Sequence, residues 1–112
     1  MFGLNTSLPI VTAEDLKQAI DENRDVVILD VRTPDEYTKA KIKGSINIPV
    51  DSIATEVEEI VTDKNKIIYV YCLSGSRSNI AVDTMQKLGY KNVFDVKSGL
   101  LAWRANQYPL EG

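Results

Sequence analysis

The sequence predicts an α/β fold, a central parallel sheet of four to five strands with helices on both faces. Two apolar runs rich in β-branched residues, VVILDV (Val26 to Val31) and KIIYVY (Lys66 to Tyr71), read as strands covered on both sides. The segments between such runs repeat apolar residues at helical spacing, and no internal repeat or low-complexity linker interrupts the alternation. Strands separated by helices imply right-handed crossovers and hence a parallel sheet. The 112 residues suit one domain, expected to occupy 1–112.

The elements follow in order. Thr12 with Asp15 three residues later reads as a helix start, and Ala13, Leu16, Ala19 and Ile20 share one face of a helix to about Asn23. After the strand at Val26 to Val31, Thr33-Pro34-Asp35-Glu36 offers a capping hydroxyl, a proline at the first helical position and a glutamate three residues after the cap. That short helix is expected to run to about Ala40. Gly44 marks a turn, Ser45 to Ile48 a short strand, and Pro49 its end. Ile53, Val57, Ile60 and Val61 form a helical stripe closing at Thr62 to Asn65. Beyond the second buried strand, Ile80, Ala81, Met85 and Leu88 make another stripe, ended by Gly89. Asn92 to Val96 is a third strong strand, and Gly99 to Ala105 a last short helix on which Trp103 packs against the sheet.

Composition limits the chemistry. With 44% hydrophobic and 26% charged residues the chain reads as an ordinary globular protein. A net charge of −3 argues against nucleic acid or an anionic membrane as partner. No stretch approaches the ~20 apolar residues of a membrane span, and MFGLNTSLPIVTAEDL lacks the pattern of a secretory signal, so a cytoplasmic location is expected. There is no histidine, which excludes Cys-His and Ser-His catalysis and His-ligated metal within one chain. The single cysteine, Cys72, has no resolving partner.

Cys72 stands just past the carboxyl end of the second strand, where parallel α/β sheets bind ligands. Between it and Arg77 lie Leu73, Ser74, Gly75 and Ser76, mostly small residues that can curl tightly, and Ser78 with the turn after it begins the next helix. A curled loop feeding a helix N-terminus turns its amide N–H groups inward as an anion-binding nest. A thiolate is itself an anion, so the nest favours ionised sulfur, with Arg77 as a forked cationic donor. Taken singly, a strand-end cysteine reads as a buried small hydrophobe and an arginine as a solvated side chain. The combination of strand, Cys, small residues, Arg, Ser and helix favours a nucleophile. Asp30 and Arg32 are expected to support the site, Asp30 by accepting from loop amides and Arg32 by pairing with Glu36 across the short helix.

Three segments resemble the single-domain rhodanese family, thiosulfate sulfurtransferase-like proteins. They are VVILDVRTPDEYTKAKIKGSINIP (Val26 to Pro49), YCLSGSRS (Tyr71 to Ser78) and VKSGLLAWRANQYPL (Val96 to Leu110). The stretch Ile10 to Ile20 resembles the family's opening strand and helix. The resemblance implies a rhodanese-like three-layer fold and a persulfide mechanism without cofactor or metal. Cys72 would take a sulfane sulfur from a small sulfur-containing anion such as thiosulfate and pass it to a thiol, cyanide or a protein cysteine. Leu73, Ser74, Gly75, Ser76, Arg77 and Ser78 would bind the substrate.

Lys41 replaces a common histidine and Ser98 the usual first glycine of the C-terminal signature, neither at a position expected to do chemistry. Leu73 and Ser74 stand where efficient thiosulfate users often carry charge, so weak use of thiosulfate is expected. Two other readings remain open. A Cys-dependent phosphatase or arsenate reductase also uses Cys, nest and Arg, but tyrosine phosphatase-like loops place five residues between Cys and Arg where this chain has four. A non-catalytic rhodanese-like binding module often lacks the cysteine that is present here.

Overall fold

The computed structural model describes residues 8–112. Residues 1–7, part of the stretch on which the reading of a leader rested, lie outside them. The elements are β1 (Ile10–Val11), α1 (Ala13–Asp21), β2 (Val26–Asp30), α2 (Pro34–Lys39), β3 (Ile46–Asn47), a 3-10 turn (Val50–Ser52), α3 (Ile53–Ile60), β4 (Ile67–Tyr71), α4 (Ser76–Lys87), β5 (Asn92–Val96) and α5 (Gly99–Ala105). The five strands form one sheet in the order β1-β5-β4-β2-β3, every pairing parallel. The α/β sheet expected from the alternation of elements is therefore the observed one.

Alternation along the strands sorts the core into two layers. Leu29, Ile68, Val70 and Val93 face α3 and α4, packing on Ile53, Val57, Ala81, Val82 and Met85. Ile28, Tyr69, Tyr71 and Val96 face the other way, onto Ala13, Leu16 and Ala19 of α1 and Leu100 and Trp103 of α5. Side chains alternate along a strand, so both faces of β2 and β4 must be apolar, which is why their sequences read as continuous runs. Cys72 continues the parity of Ile68 and Val70 and so belongs to the α4 layer. Trp103 is buried and donates its indole N–H to the Pro109 carbonyl at 2.8 Å, tying the C-terminal segment to α5.

The first two helices begin as the sequence indicates. Thr12 and Asp15 form a reciprocal capping box on α1, and Thr33 and Glu36 form another on α2, with Pro34 at the first helical position. The helix after Cys72 departs from expectation by starting at Ser76 rather than Ser78. Gly75, at φ +122°, turns the chain so sharply that its carbonyl already accepts the Asn79 N–H at 3.1 Å. Arg77 is consequently a first-turn helical residue and not part of the loop. Among the described residues no helix is long and apolar enough to cross a membrane.

Candidate active site

β4 is the middle strand of the sheet, and its carboxyl end delivers Cys72, 1% exposed, beneath the N-terminus of α4. The Gly75 N–H donates to the sulfur at 3.0 Å and the Ser78 N–H at 3.4 Å. Two backbone donors thus converge on one Sγ, the arrangement that stabilises a negative charge there. Among the described residues no side chain caps α4, and its first turn carries no acidic residue, which leaves these amides to the sulfur.

The loop is tied from below to α5. Leu100 N–H donates to the Cys72 carbonyl at 2.9 Å and Leu101 N–H to the Leu73 carbonyl at 3.0 Å. These bonds turn the loop carbonyls toward α5, leaving the amides free to face the sulfur. The approach requires glycine at position 99, since a Cβ there would lie 2.2 Å from the Cys72 carbonyl oxygen. Leu73 is half-buried in the layer of α1 and α5, whereas Ser74 and Ser76 are exposed.

The cations pair differently from the sequence reading. Arg32 does not reach Glu36. It donates through Nε and Nη2 to Asp30, the Nη2–Oδ2 distance being 2.7 Å, and to the Ala40 carbonyl. The reason is parity: Asp30 and Arg32, two residues apart as β2 ends, leave the chain on the same side and meet inside the protein, at 0% and 4% side-chain exposure. Asp30 also accepts the Arg32 backbone N–H at 2.9 Å, a loop amide of the expected kind. Its environment is completed by Tyr71, whose ring lies under the Arg32 guanidinium at 5.7 Å.

Glu36 instead pairs with Arg77, at 2.6 Å from Nη1 to Oε1 and 3.1 Å from Nη2 to Oε2. Glu36 is held at about 2 by its hydrogen bond from Arg77, against burial, with further help from Thr33. The same partner raises Arg77, and the nearby Cys72 contributes to that rise. Arg77 therefore sits within electrostatic reach of the sulfur, yet its hydrogen bonds go to a carboxylate.

One residue of the cluster was missed by sequence reasoning. Asp95, in β5, is 6% exposed and accepts the Ser78 hydroxyl at 2.5 Å, while Ser78 Oγ lies 3.4 Å from Cys72 Sγ. Burial pushes Asp95 up, against hydrogen bonds from Ser78 and Asn79. The available signal was strand parity: Asp95 shares the parity of Val93 and so points into the α4 layer, where a carboxylate needs a partner. Among the described residues no group of three or more His, Cys, Asp or Glu is placed to hold a metal ion.

The rhodanese-like domain family model matches residues 12–106. The Bacillus subtilis protein YrkF, provisionally named a sulfur carrier protein, is 39% identical over 98 residues, covering 88% of this chain and 52% of that protein. The chain thus spans about half the length of that relative. A sulfurtransferase of Allochromatium vinosum is 31% identical over 100 residues, 89% of this chain and 92% of that protein. A solved Rhodopseudomonas palustris structure, of unknown function and described as a possible tyrosine phosphatase, superposes with a TM-score of 0.86 at 29% identity, covering 93% of this chain and 85% of its own. An amide-cradled cysteine at the end of a central parallel strand and a family match from residue 12 to 106 lead to one assignment: this chain belongs to the rhodanese-like sulfurtransferase family.

Proposed function

We propose that the chain carries sulfane sulfur through a persulfide on Cys72. The Cys72 thiolate attacks the outer sulfur of an anionic donor such as thiosulfate, the S–S bond of the donor breaks, and sulfite leaves with the bonding pair. A thiol, cyanide or protein cysteine then attacks the terminal sulfur and returns Cys72 to the thiolate. The observation that carries this reading is the pair of backbone N–H groups converging on Sγ, which would hold both the thiolate and the terminal charge of the persulfide. The donor anion would compete with Glu36 for Arg77 and draw the guanidinium toward the nest. Leu73 and Ser74 bring no charge to the loop, so a donor other than thiosulfate is favoured as the faster one.

The test is the intact mass of the reduced protein before and after brief exposure to thiosulfate or to another sulfane donor, with Cys72→Ser as control. A gain of one sulfur atom, reversed by cyanide and absent from the variant, is expected. No gain with any donor overturns the proposal in favour of a binding module.

The phosphatase reading draws on the Rhodopseudomonas neighbour, but four residues between Cys and Arg enclose a smaller anion site than five. Turnover of an aryl phosphate that disappears in Cys72→Ser would reverse the order of the two.

A further inference from the structure

A chain without histidine has to send the thiol proton elsewhere, and the structure offers one route. Ser78 Oγ touches Asp95 Oδ1 at 2.5 Å, the Gly75 carbonyl at 3.2 Å and Cys72 Sγ at 3.4 Å. A hydroxyl has a single proton, and the short charge-assisted contact with the carboxylate claims it. Ser78 then presents a lone pair to the sulfur and can only accept the Cys72 S–H. With Asp95 ionised, that one contact opposes the thiolate that the two backbone amides favour. All three groups are buried, so bulk water is a poor alternative partner for any of them.

We propose that Cys72, Ser78 and Asp95 form a proton wire in which Asp95 is the acceptor of the thiol proton and thereby a positioning residue for the nucleophile. The Cys72 S–H bond breaks as its proton passes to Ser78 Oγ, and the Ser78 proton passes to Asp95, whose carboxylate becomes a carboxylic acid. Every hydrogen bond reverses: Asp95 O–H now donates to Ser78, and Ser78 O–H donates to the thiolate. The charge of the trio is unchanged, and no hydrogen bond is lost in either state. Burial, which disfavours the Asp95 carboxylate, assists the transfer.

The other ionisable groups nearby are already paired: Arg77 of α4 with Glu36 of α2, and Asp30 of β2 with Arg32. Asp30 and Cys72 both act on Arg77, whereas the influences on Asp95 are burial, Ser78 and Asn79. Lys97, which follows the last residue of β5, is exposed.

The wire rests on Cys72 as nucleophile, but it can be tested without any sulfur donor, so its failure and that of the sulfur-transfer reading are separable. The rate of Cys72 alkylation by iodoacetamide is measured against pH. A thiol that must release its proton to solvent slows about tenfold for each pH unit below its midpoint, whereas an internal transfer leaves the thiolate fraction constant. Wild type is expected to be nearly flat over about pH 5 to 7. Asp95→Asn and Ser78→Ala are expected to show the steep limb, and Ser78→Thr, which restores a hydroxyl, the flat one. A purely structural role for Asp95 would change the rate at all pH values without changing this slope. A steep wild-type profile, or a flat one in Ser78→Ala, overturns the proposal, even where Asp95→Asn does not fold.

Discussion

Two strand-to-helix turns lie side by side at the carboxyl end of the sheet, and they satisfy their helix N-termini in opposite ways. β2 and β4 pair in register up to Asp30 and Tyr71, so the turns that follow begin at the same height. The turn into α2 closes on itself: Thr33 Oγ1 accepts the Glu36 N–H at 3.2 Å, Glu36 accepts the Thr33 N–H at 3.0 Å, and the preceding Asp30 and Arg32 neutralise each other. The Asn47 side chain adds two bonds at 3.0 Å, to the Asp30 and Arg32 carbonyls. The turn into α4 has a glycine where the cap would be and spends its amides on a sulfur atom. A helix N-terminus already filled by its own side chains is structural, and one left unfilled is available.

The largest loss is expected at the buried ion pair of the closed turn. Asp30→Ala leaves the Arg32 guanidinium buried without its carboxylate and is expected to cost about 3–5 kcal/mol of stability. Thermal denaturation measures the loss. Iodoacetamide reactivity of Cys72 in the protein that remains folded is expected to stay near wild type. A collapse of reactivity with stability unchanged would mean that Asp30 acts on the sulfur and not on the fold.

Gly99→Ala attacks the other turn from below. Its Cβ would meet the Cys72 carbonyl at a separation no backbone tolerates, and φ of +44° adds strain. A loss of about 2 kcal/mol or more is expected from the forced shift. Here stability and Cys72 reactivity should fall together, because the displaced carbonyl belongs to the residue whose sulfur the loop cradles. A stable Gly99→Ala with normal alkylation would mean that α5 does not hold the loop.

Thr33→Ala removes a cap from the closed turn and is expected to cost about 1 kcal/mol, with no change in Cys72 alkylation. Urea unfolding beside the alkylation rate checks both halves of that expectation.

The closed turn was legible almost atom by atom, because capping is a local code: hydroxyl, proline and glutamate at fixed offsets determine the contacts. The strands were legible for a similar reason, since burial on both faces leaves an unbroken apolar run. The nest was legible in outline from Cys72, Gly75 and Ser78. What escaped were the polar partners decided by three-dimensional neighbours. The sequence offers Glu36 a partner in Arg32, four positions away, whereas its partner is Arg77, 41 positions away and brought near by the pairing of β2 with β4. Asp95 is silent in the sequence because an acid within a strand run carries no sign of the serine it meets 17 positions earlier on α4.

The smallest effect separates charge from capping at Glu36, the residue through which the two turns touch. Glu36→Gln keeps an oxygen to accept the Thr33 N–H and gives up the charge that holds Arg77. In the folded protein Glu36 lies at about 2, against an ordinary 4.5, held down mainly by Arg77. A lowered acid stabilises the fold fully above its unfolded value, and the benefit drains away as pH falls toward the folded value. The advantage of wild type over Glu36→Gln should therefore be constant above about pH 4.5, shrink through pH 4 and 3, and vanish near pH 2. Both side chains are about one-third exposed, so solvent screening keeps that advantage below about 1 kcal/mol. Asp95, raised by burial, contributes with the opposite sign: its ionisation weighs against the fold as pH rises past its ordinary value, and acid relieves it. Acid titration of stability in Glu36→Gln and Asp95→Asn thus reads the two turns separately. Differences from wild type that run in the same direction would show that the carboxylates do not answer to the distinct surroundings the structure gives them.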